Sequence, residues 1–331
     1  MVVTYPASQS GNGLRPINPG KDLPQLVELL RLVFGKEMEA EGKPVFRSGT
    51  NSQTPTFLWR LDPALSRLAP GYVWEVGGKI VGNATLLPTQ QRSRYLVANV
   101  AVHPSHRRQG IGRLLMSAVR EDVLRRGGAE ILLQVVQANK VAIKLYSDMG
   151  YQMLGSMTTW RTSVSRVREL SVDRSDGQEG LEVRLLDRRH WREAYRLDCK
   201  VLAPDLNWPE PLFPDAYKMN FRRRMREFLN GKSEKTWMTI DGNRDLIGLA
   251  KVQSEWGRAH ELSVRVHPVW QGRLERPLLN RLIGRLQSMP RRNVLLVHNA
   301  DDELVNQLLP AANFSRLRTL THMRLLLDGR P

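Results

Sequence analysis

The sequence predicts an α/β protein made of two tandem copies of one strand-helix-hairpin-strand-helix-strand-helix unit. Three observations predict it. The chain has 331 residues, which fits two domains better than one or three. Apolar runs of strand length alternate with segments of helical apolar spacing in both halves. The tripeptide Val-His-Pro also recurs at corresponding places, residues 102–104 and 266–268, as an internal repeat requires.

The first half opens with "LRPINPGKDLPQLVELLRLVFG", a short strand and then a helix that Asp22 would cap, with Pro24 near its first turn. Next, "GYVWEVGGKIVGNATLLP" reads as a hairpin turning at Gly77-Gly78. The strand "YLVANVAV" leads through "HRRQGIG" into the helix-spaced "RLLMSAVREDVLRRGG", and "AEILLQVVQANKVAIKLYSDMGY" gives a further strand and helix. The second half repeats the order with "LEVRLLDRRHWREAYRL", then "KTWMTIDGNRDLIGLAKVQ" turning at or near Asp241-Gly242, then "ELSVRVHPVWQGRLERPLLNRLI" and "NVLLVHNADDELVNQLLPAANF". The polar stretch "SVDRSDGQEG", residues 171–180, reads as a linker, and residues 1–12 as a flexible tail. The expected domains are therefore 13–170 and 181–331. Segments 36–70 and 200–235 fall at equivalent places between first helix and hairpin, where variable insertions often carry substrate contacts.

Composition narrows the class. A hydrophobic share of 41% with 25% charged residues is that of a soluble protein with a real core. The single cysteine, Cys199, excludes an internal disulfide and a cysteine-based metal cluster and reads as a small buried hydrophobe. No apolar stretch has membrane-spanning length and the start is not a signal peptide, so a cytoplasmic location is expected. The histidines are scattered without a paired spacing, and no metal site is expected. The net charge is +17, with 22 Lys+Arg against 12 Asp+Glu in residues 1–170 and 28 against 21 in 171–331. Such a field attracts anions, whether phosphates, acidic substrates or nucleic acid. The densest run, "FRRRMREF" at 221–228, reads as a solvated basic helix face, and no nucleic-acid-binding motif accompanies it.

"HRRQGIG", residues 106–112, carries the sharpest chemistry. A helix start leaves backbone N–H groups without intrahelical partners, and its dipole favours an anion. Gly110 and Gly112 remove side chains that would block a close approach, and arginines flank them, so the stretch reads as a phosphate cradle. It is neither a dinucleotide fingerprint, since Leu115 stands where a third glycine is needed, nor a Walker loop, which needs Gly-Lys-Ser or Gly-Lys-Thr.

This order of elements, the loop Arg107-Arg108-Gln109-Gly110-Ile111-Gly112 and the segment "NKVAIKLYSDMGY" together resemble the GCN5-related N-acetyltransferase (GNAT) superfamily. The resemblance covers residues 13–165 and, more weakly, 180–328. It implies two tandem GNAT domains, each a mixed, mostly antiparallel sheet flanked by helices, and acetyl-CoA as cosubstrate. Val100, Ala101 and Val102 would then line the acetyl-pantetheine arm. Arg107, Arg108, Gln109, Gly110, Ile111, Gly112 and Arg113 would surround the pyrophosphate, and Asn139 would contact the arm. Tyr146 would sit beside the sulfur as general acid. It lies seven residues after Asn139, about two helical turns, so both can face one groove.

The resemblance also implies a glutamate five residues before the asparagine, as base, and here that residue is Gln134. Glu75 and His103 are near in sequence terms; water relayed along carbonyls, or an amine that arrives deprotonated, are the alternatives. In the second half Leu274 and Arg276 stand where Gly110 and Gly112 do, Asp302 where Asn139 does and Leu309 where Tyr146 does. The second domain is thus expected to keep the fold and lose acetyl-CoA binding. Trp208, Phe213, Trp256 and Trp270 would line an acceptor groove or pack in core and interface. The sequence points to acetyl transfer to an amine on a small molecule, peptide or protein, against a non-catalytic acyl-CoA-binding protein or a charge-driven nucleic-acid- or ribosome-associated one.

Overall fold

The computed structural model describes residues 12–40, 71–89, 91–171, 181–202, 212–218, 231–243 and 245–327. The expected tail but for residue 12, the linker from residue 172 on, most of the two variable segments, Trp208 and the basic run 221–228 lie outside the described residues. In chain order the elements are β1 (Gly13–Pro16), α1 (Pro19–Ala40), β2 (Gly71–Val76), β3 (Lys79–Pro88), β4 (Arg94–Val102), α2 (Ile111–Arg125), β5 (Glu130–Val136), α3 (Lys140–Asp148), β6 (Gln152–Ser163) and α4 (Val164–Arg168). They continue with β7 (Val183–Leu185), α5 (Trp191–Val201), β8 (Lys232–Ile240), β9 (Leu246–Glu255), β10 (His260–Val266), α6 (Glu275–Leu286), β11 (Asn293–Asn299), α7 (Glu303–Ala311) and β12 (Ser315–Leu326).

The chain divides into two compact units. Among the described residues the first takes in those up to Val135, Asn139–Met153 and those from His322 on; the second takes in Val136–Ala138 and Leu154–Thr321. This differs from the contiguous halves read from the sequence by three segments: Val136–Ala138, most of β6 with α4, and the end of β12. Packing gives the reason. Trp160, Val164 and Val167 are buried among Val264, Leu278 and Leu296 of the second core, whereas Met323, Leu325 and Leu327 are buried among Leu133, Val135 and Tyr151 of the first.

Within the first unit the strand order is β1-β2-β3-β4-β5-β12, and within the second it is β12-β6-β11-β10-β9-β8-β7. The hairpin neighbours are antiparallel, while β4 with β5 and β10 with β11 are parallel, because a helix joins each of those pairs. Gly77 and Gly78 both have positive φ, 56° and 78°, as the tight β2–β3 turn requires. On one face of the first sheet α1 buries Leu26, Leu29 and Leu30 against Val73, Ile80 and Ala101. That spacing is one face of a helix, and each leucine so buried contributes about 2 kcal/mol. On the other face α2 buries Leu115, Met116, Val119 and Val123 against Val81, Ala84 and Val97.

Two sequence expectations need correction. Asp22 is not the cap of α1 but lies a turn inside it; Asn18 takes that place, its carbonyl accepting the first helical N–H groups, and Asp22 reaches back to the Asn18 N–H at 2.7 Å. Asp22 also binds both Nη atoms of Arg15, at 2.6 and 2.8 Å. Cys199 is exposed, not buried, because α5 turns Ala194 and Leu197 inward and Cys199 falls off that stripe.

Candidate functional site

Sheet geometry positions the site. The parallel register of β4 and β5 runs from Arg94↔Glu130 to Val97↔Leu133 and ends there. Beyond it β4 carries a bulge: the four residues from Ala98 to Ala101 stand against three on β3, Thr85 to Asn83. Asn99 sits in the bulge with φ of 55°, a left-handed conformation asparagine tolerates, and buried Asn83 donates to the Asn99 carbonyl at 2.7 Å. The bulge coincides with the parting of the two strands, so Ala98–Val102 run on without pairing to β5. Of the three residues expected to line an acyl arm, Ala101 turns its side chain into the α1 core, while Val100 and Val102 pack on the α2 side. Only backbone from Ala101 is available to a ligand.

After β4 a short turn, Pro104–His106, leads to α2. His103 caps it, its Nδ1 accepting from the Ser105 N–H at 3.3 Å, which makes it a turn residue. Arg108 has φ of 62° and Gly110 of 77°, two left-handed residues that curl the loop ahead of the first turn of α2. Gly110 is the N-cap of α2 and supplies no side-chain cap, so the first-turn N–H groups, Ile111, Gly112 and Arg113, have no intrahelical acceptor. A Cβ at Gly112 would lie 3.4 Å from Leu145 Cδ2 and 3.9 Å from Val102 Cγ2, which brings the helix start, α3 and the end of β4 to one place. The site residues differ in what they have free. Ile111 is buried and offers only its N–H. Arg107 donates from Nε to the Val102 carbonyl at 3.2 Å, and Arg113 faces Asp148 at 3.8 Å. Arg108 and Gln109 are exposed.

Gly82, on β3, fixes how closely α2 approaches. A Cβ there would meet Ile111 Cγ2 at 2.9 Å, Leu115 Cδ1 at 3.1 Å and Trp74 Cβ at 3.1 Å. The sequence offers no local sign of this contact beyond a glycine in a strand. Asn139 is the N-cap of α3, its Oδ1 accepting the Ala142 N–H at 3.1 Å; the NH2 half of its amide takes no part in the cap. Tyr146, on the same helix, is buried in the core on the α2 side, 5.8 Å from the ring of Tyr151, and burial pushes its phenol above the ordinary value. Glu75 is held by Arg15, at 2.7 Å from Nε, and belongs to the Arg15–Asp22 cluster. Gln134 is exposed on β5 at the first position past the paired segment, and His322 of β12, which sequence reasoning missed, lies 3.0 Å from it.

The second unit retains the plan but fills the helix start. The β10–β11 register likewise ends early, at Leu262↔Leu296. Gly248 lies under Leu278 and Leu274 as Gly82 lies under Leu115 and Ile111, at 3.1 and 3.2 Å. At the start of α6, however, the buried carboxylate of Glu275 accepts the Gly272 N–H at 2.8 Å, and buried Leu274 replaces the glycine N-cap. The chain's own carboxyl group occupies the helix start. Asp302 caps α7 and Leu309 is fully buried in the core. Of the aromatic candidates, Trp256 is 83% exposed, Phe213 is exposed and Trp270 packs on the second core with Arg273 over its ring. Among the described residues no cluster could hold a metal ion and no helix is long and apolar enough to cross a membrane.

A sequence profile described as the acetyltransferase (GNAT) family matches residues 35–151, the segment holding the parted strands, the loop and α3. The first half carries a GNAT family domain. Beyond the profile, N-acetyltransferase family 8 member 3 of Rattus norvegicus is 32% identical over 101 residues, 29% of this chain and 43% of that protein. The chain spans less than half the length of the curated relatives it matches. Among solved structures, a GCN5-related N-acetyltransferase from Sphaerobacter thermophilus superposes with a TM-score of 0.63 at 17% identity, covering 95% of each chain. A tandem GNAT protein from the clavulanic acid biosynthesis pathway superposes with a TM-score of 0.55 at 16% identity, covering 96% of this chain and 99% of the other. At such identities the likeness is one of fold, and it extends the GNAT fold from the profile-matched half over nearly the whole chain.

Proposed function

We propose that the first unit transfers an acetyl group from acetyl-CoA to a primary amine. One observation carries the reading: an uncapped helix start, opened by Gly110 and Gly112, stands at the end of a strand that has parted from its neighbour, and the corresponding helix start in the second unit is filled by Glu275. The glycine cradle fits a pyrophosphate, with the N–H groups of Ile111, Gly112 and Arg113 as donors and Arg107, Arg108 and Gln109 around it. The unpaired edge of Val100–Val102 suits an amide-bearing pantetheine arm, with the NH2 of Asn139 as a further donor.

Bound acetyl-CoA supplies an activated acyl thioester. In the transfer an N–C bond forms and the C–S bond breaks; the amine nitrogen loses one proton and the departing thiolate gains one. Tyr146 is the proposed donor of that proton. Its burial keeps the phenol protonated at neutral pH, and a phenol is close in basicity to a thiolate that is itself desolvated. Leu309 supports this assignment, because it fills the equivalent place and packing there needs no hydroxyl. A second reading, an acyl-CoA-binding protein without turnover, is favoured by Gln134, which cannot serve as a base.

Thermal unfolding with acetyl-CoA separates the readings. A ligand at a hundredfold excess over Kd adds about 2.7 kcal/mol of stability. Stabilisation of the wild type and of Tyr146→Phe, lost in Gly112→Glu, is the expected result, followed by thiol release on addition of an amine panel. Absence of stabilisation in the wild type would overturn acetyl transfer; stabilisation without turnover on any amine would favour the binding protein.

A further inference from the structure

Gln134 and His322 are 188 residues apart in sequence, yet their side-chain nitrogens meet at 3.0 Å. Strand alternation puts both on one face. Ile131, Leu133 and Val135 of β5 enter the core that holds Tyr146, so Gln134 points the other way; Met323 and Leu325 of β12 enter the same core, so His322 points the other way too. Gln134 is also the first residue after the β4–β5 pairing ends. The pair therefore stands at the opening, on the sheet face opposite Tyr146.

His322 is 4% exposed, and burial lowers its pKa to about 4, so the imidazole is uncharged at neutral pH. Its Nε2 faces the Gln134 NH2 group, which can only donate. The ring must then accept at Nε2 and carry its proton on Nδ1. In this pairing the Gln134 amide turns its NH2 toward the ring and its carbonyl oxygen away from it. The charged groups on the same faces are Arg324, two residues along β12, and Glu130, four back along β5, which is held by Arg94 at 2.6 Å.

We propose that His322 is a positioning residue that holds the Gln134 amide with its carbonyl oxygen toward the opening between β4 and β5, where it receives an N–H of a weakly basic acceptor amine. The inference rests on the acetyl-transfer reading above. A carbonyl oxygen accepts an N–H without taking the proton, so the amine has to reach it already uncharged. An α-amino group, of pKa near 7.7–8.0, is uncharged in roughly one molecule in seven at pH 7; a lysine side chain near 10.4, in about one in 2,500. The chemistry at Gln134 thus selects α-amino groups and amines of similar basicity over lysine side chains.

Two measurements on the full chain test it. Nitrogen-15 spectra of the histidine rings, with His322 assigned by its loss in His322→Gln, report the tautomer without any substrate. A proton on Nδ1 is expected; a proton on Nε2 would turn the NH2 of Gln134 outward and overturn the proposal. The second is acetyl transfer from acetyl-CoA to a lysine-free peptide with a free α-amine and to an N-blocked peptide with one lysine. A preference of tenfold or more for the α-amine is expected, with His322→Leu lowering kcat about tenfold while acetyl-CoA stabilisation is kept. His322→Gln, whose amide oxygen can accept in place of Nε2, should restore the rate, and His322→Leu should have no further effect on Gln134→Ala. Equal rates on both peptides, or independent effects of the two substitutions, would overturn the proposal with acetyl transfer intact. A wild type that acetyl-CoA does not stabilise overturns both.

Discussion

Asn139 and Asp302 cap equivalent helices with the same bond: Asn139 Oδ1 accepts the Ala142 N–H at 3.1 Å, and Asp302 Oδ1 accepts the Val305 N–H at 3.2 Å. The remaining half of each side chain differs. Asp302 turns its other oxygen to His298 Nε2 at 2.6 Å, whereas Asn139 keeps an NH2 group outside the cap. The duplication thereby separates what the fold needs at this place from what a ligand would use.

Asn139→Asp should leave stability within about 0.5 kcal/mol, because the two residues cap equally well. It should weaken acetyl-CoA binding about tenfold, the worth of one good hydrogen bond. Titration calorimetry decides the point, and an unchanged affinity would reduce Asn139 to a cap.

Tyr146→Phe keeps the ring that packs against Tyr151 and removes only the hydroxyl. The expected outcome is a fall in kcat of about a hundredfold with acetyl-CoA stabilisation retained. A normal kcat would transfer the acid role to solvent.

Gly82→Ala and Gly248→Ala put a methyl group into similar contacts under α2 and α6, with nearest atoms at 2.9 and 3.1 Å. Each should cost about 1–3 kcal/mol by overpacking. Only Gly82→Ala should weaken acetyl-CoA binding, since it displaces the helix start that carries the cradle. Equal loss of binding in both would contradict the assignment of the cofactor site to the first unit.

His322 also makes stability depend on pH. Its folded pKa, about 4, lies below the ordinary value of 6.5, so the unfolded chain takes up the proton first as pH falls. The native state is favoured in full above pH 6.5, and this contribution is lost as pH drops from there toward 4. At pH 5 the loss reaches about 2 kcal/mol. Urea unfolding at pH 7 and pH 5 should therefore show a larger drop in the wild type than in His322→Gln; identical drops would place the imidazole in a more solvated setting.

Much of this is written locally in the chain. Two consecutive glycines predict the β2–β3 turn, and both take the positive φ that the turn needs. The helix start after the loop 106–112 could be read because the residues that form it are adjacent in sequence, and Gly110 is the N-cap of α2. Contacts between distant residues are a different matter. Alternation marks β6 and β12 as strands, but period two says nothing of which strand becomes the neighbour, so Trp160 and Leu325 gave no sign of the cores they enter. His322 stayed hidden for the same reason. Asp22 misled because an acidic residue four places into a helix resembles a cap, and the role of Arg15 as its partner shows only in three dimensions. Cys199 misled because side-chain type fixes burial less firmly than position on an amphipathic helix.

The placement of β12 bears on how the protein is born. A ribosome delivers the loop, α3 and Tyr146 long before residue 322, so a nascent chain can shape the phosphate cradle while Gln134 still lacks its partner. The strand beside β5 in the first unit is β12, which follows β5 by nearly two hundred residues. A chain that terminates early, or is cut anywhere before β12, leaves β5 as an open edge, prone to wrong pairing, and its amide unoriented. Completion of the first unit is in effect a check that translation has passed β12.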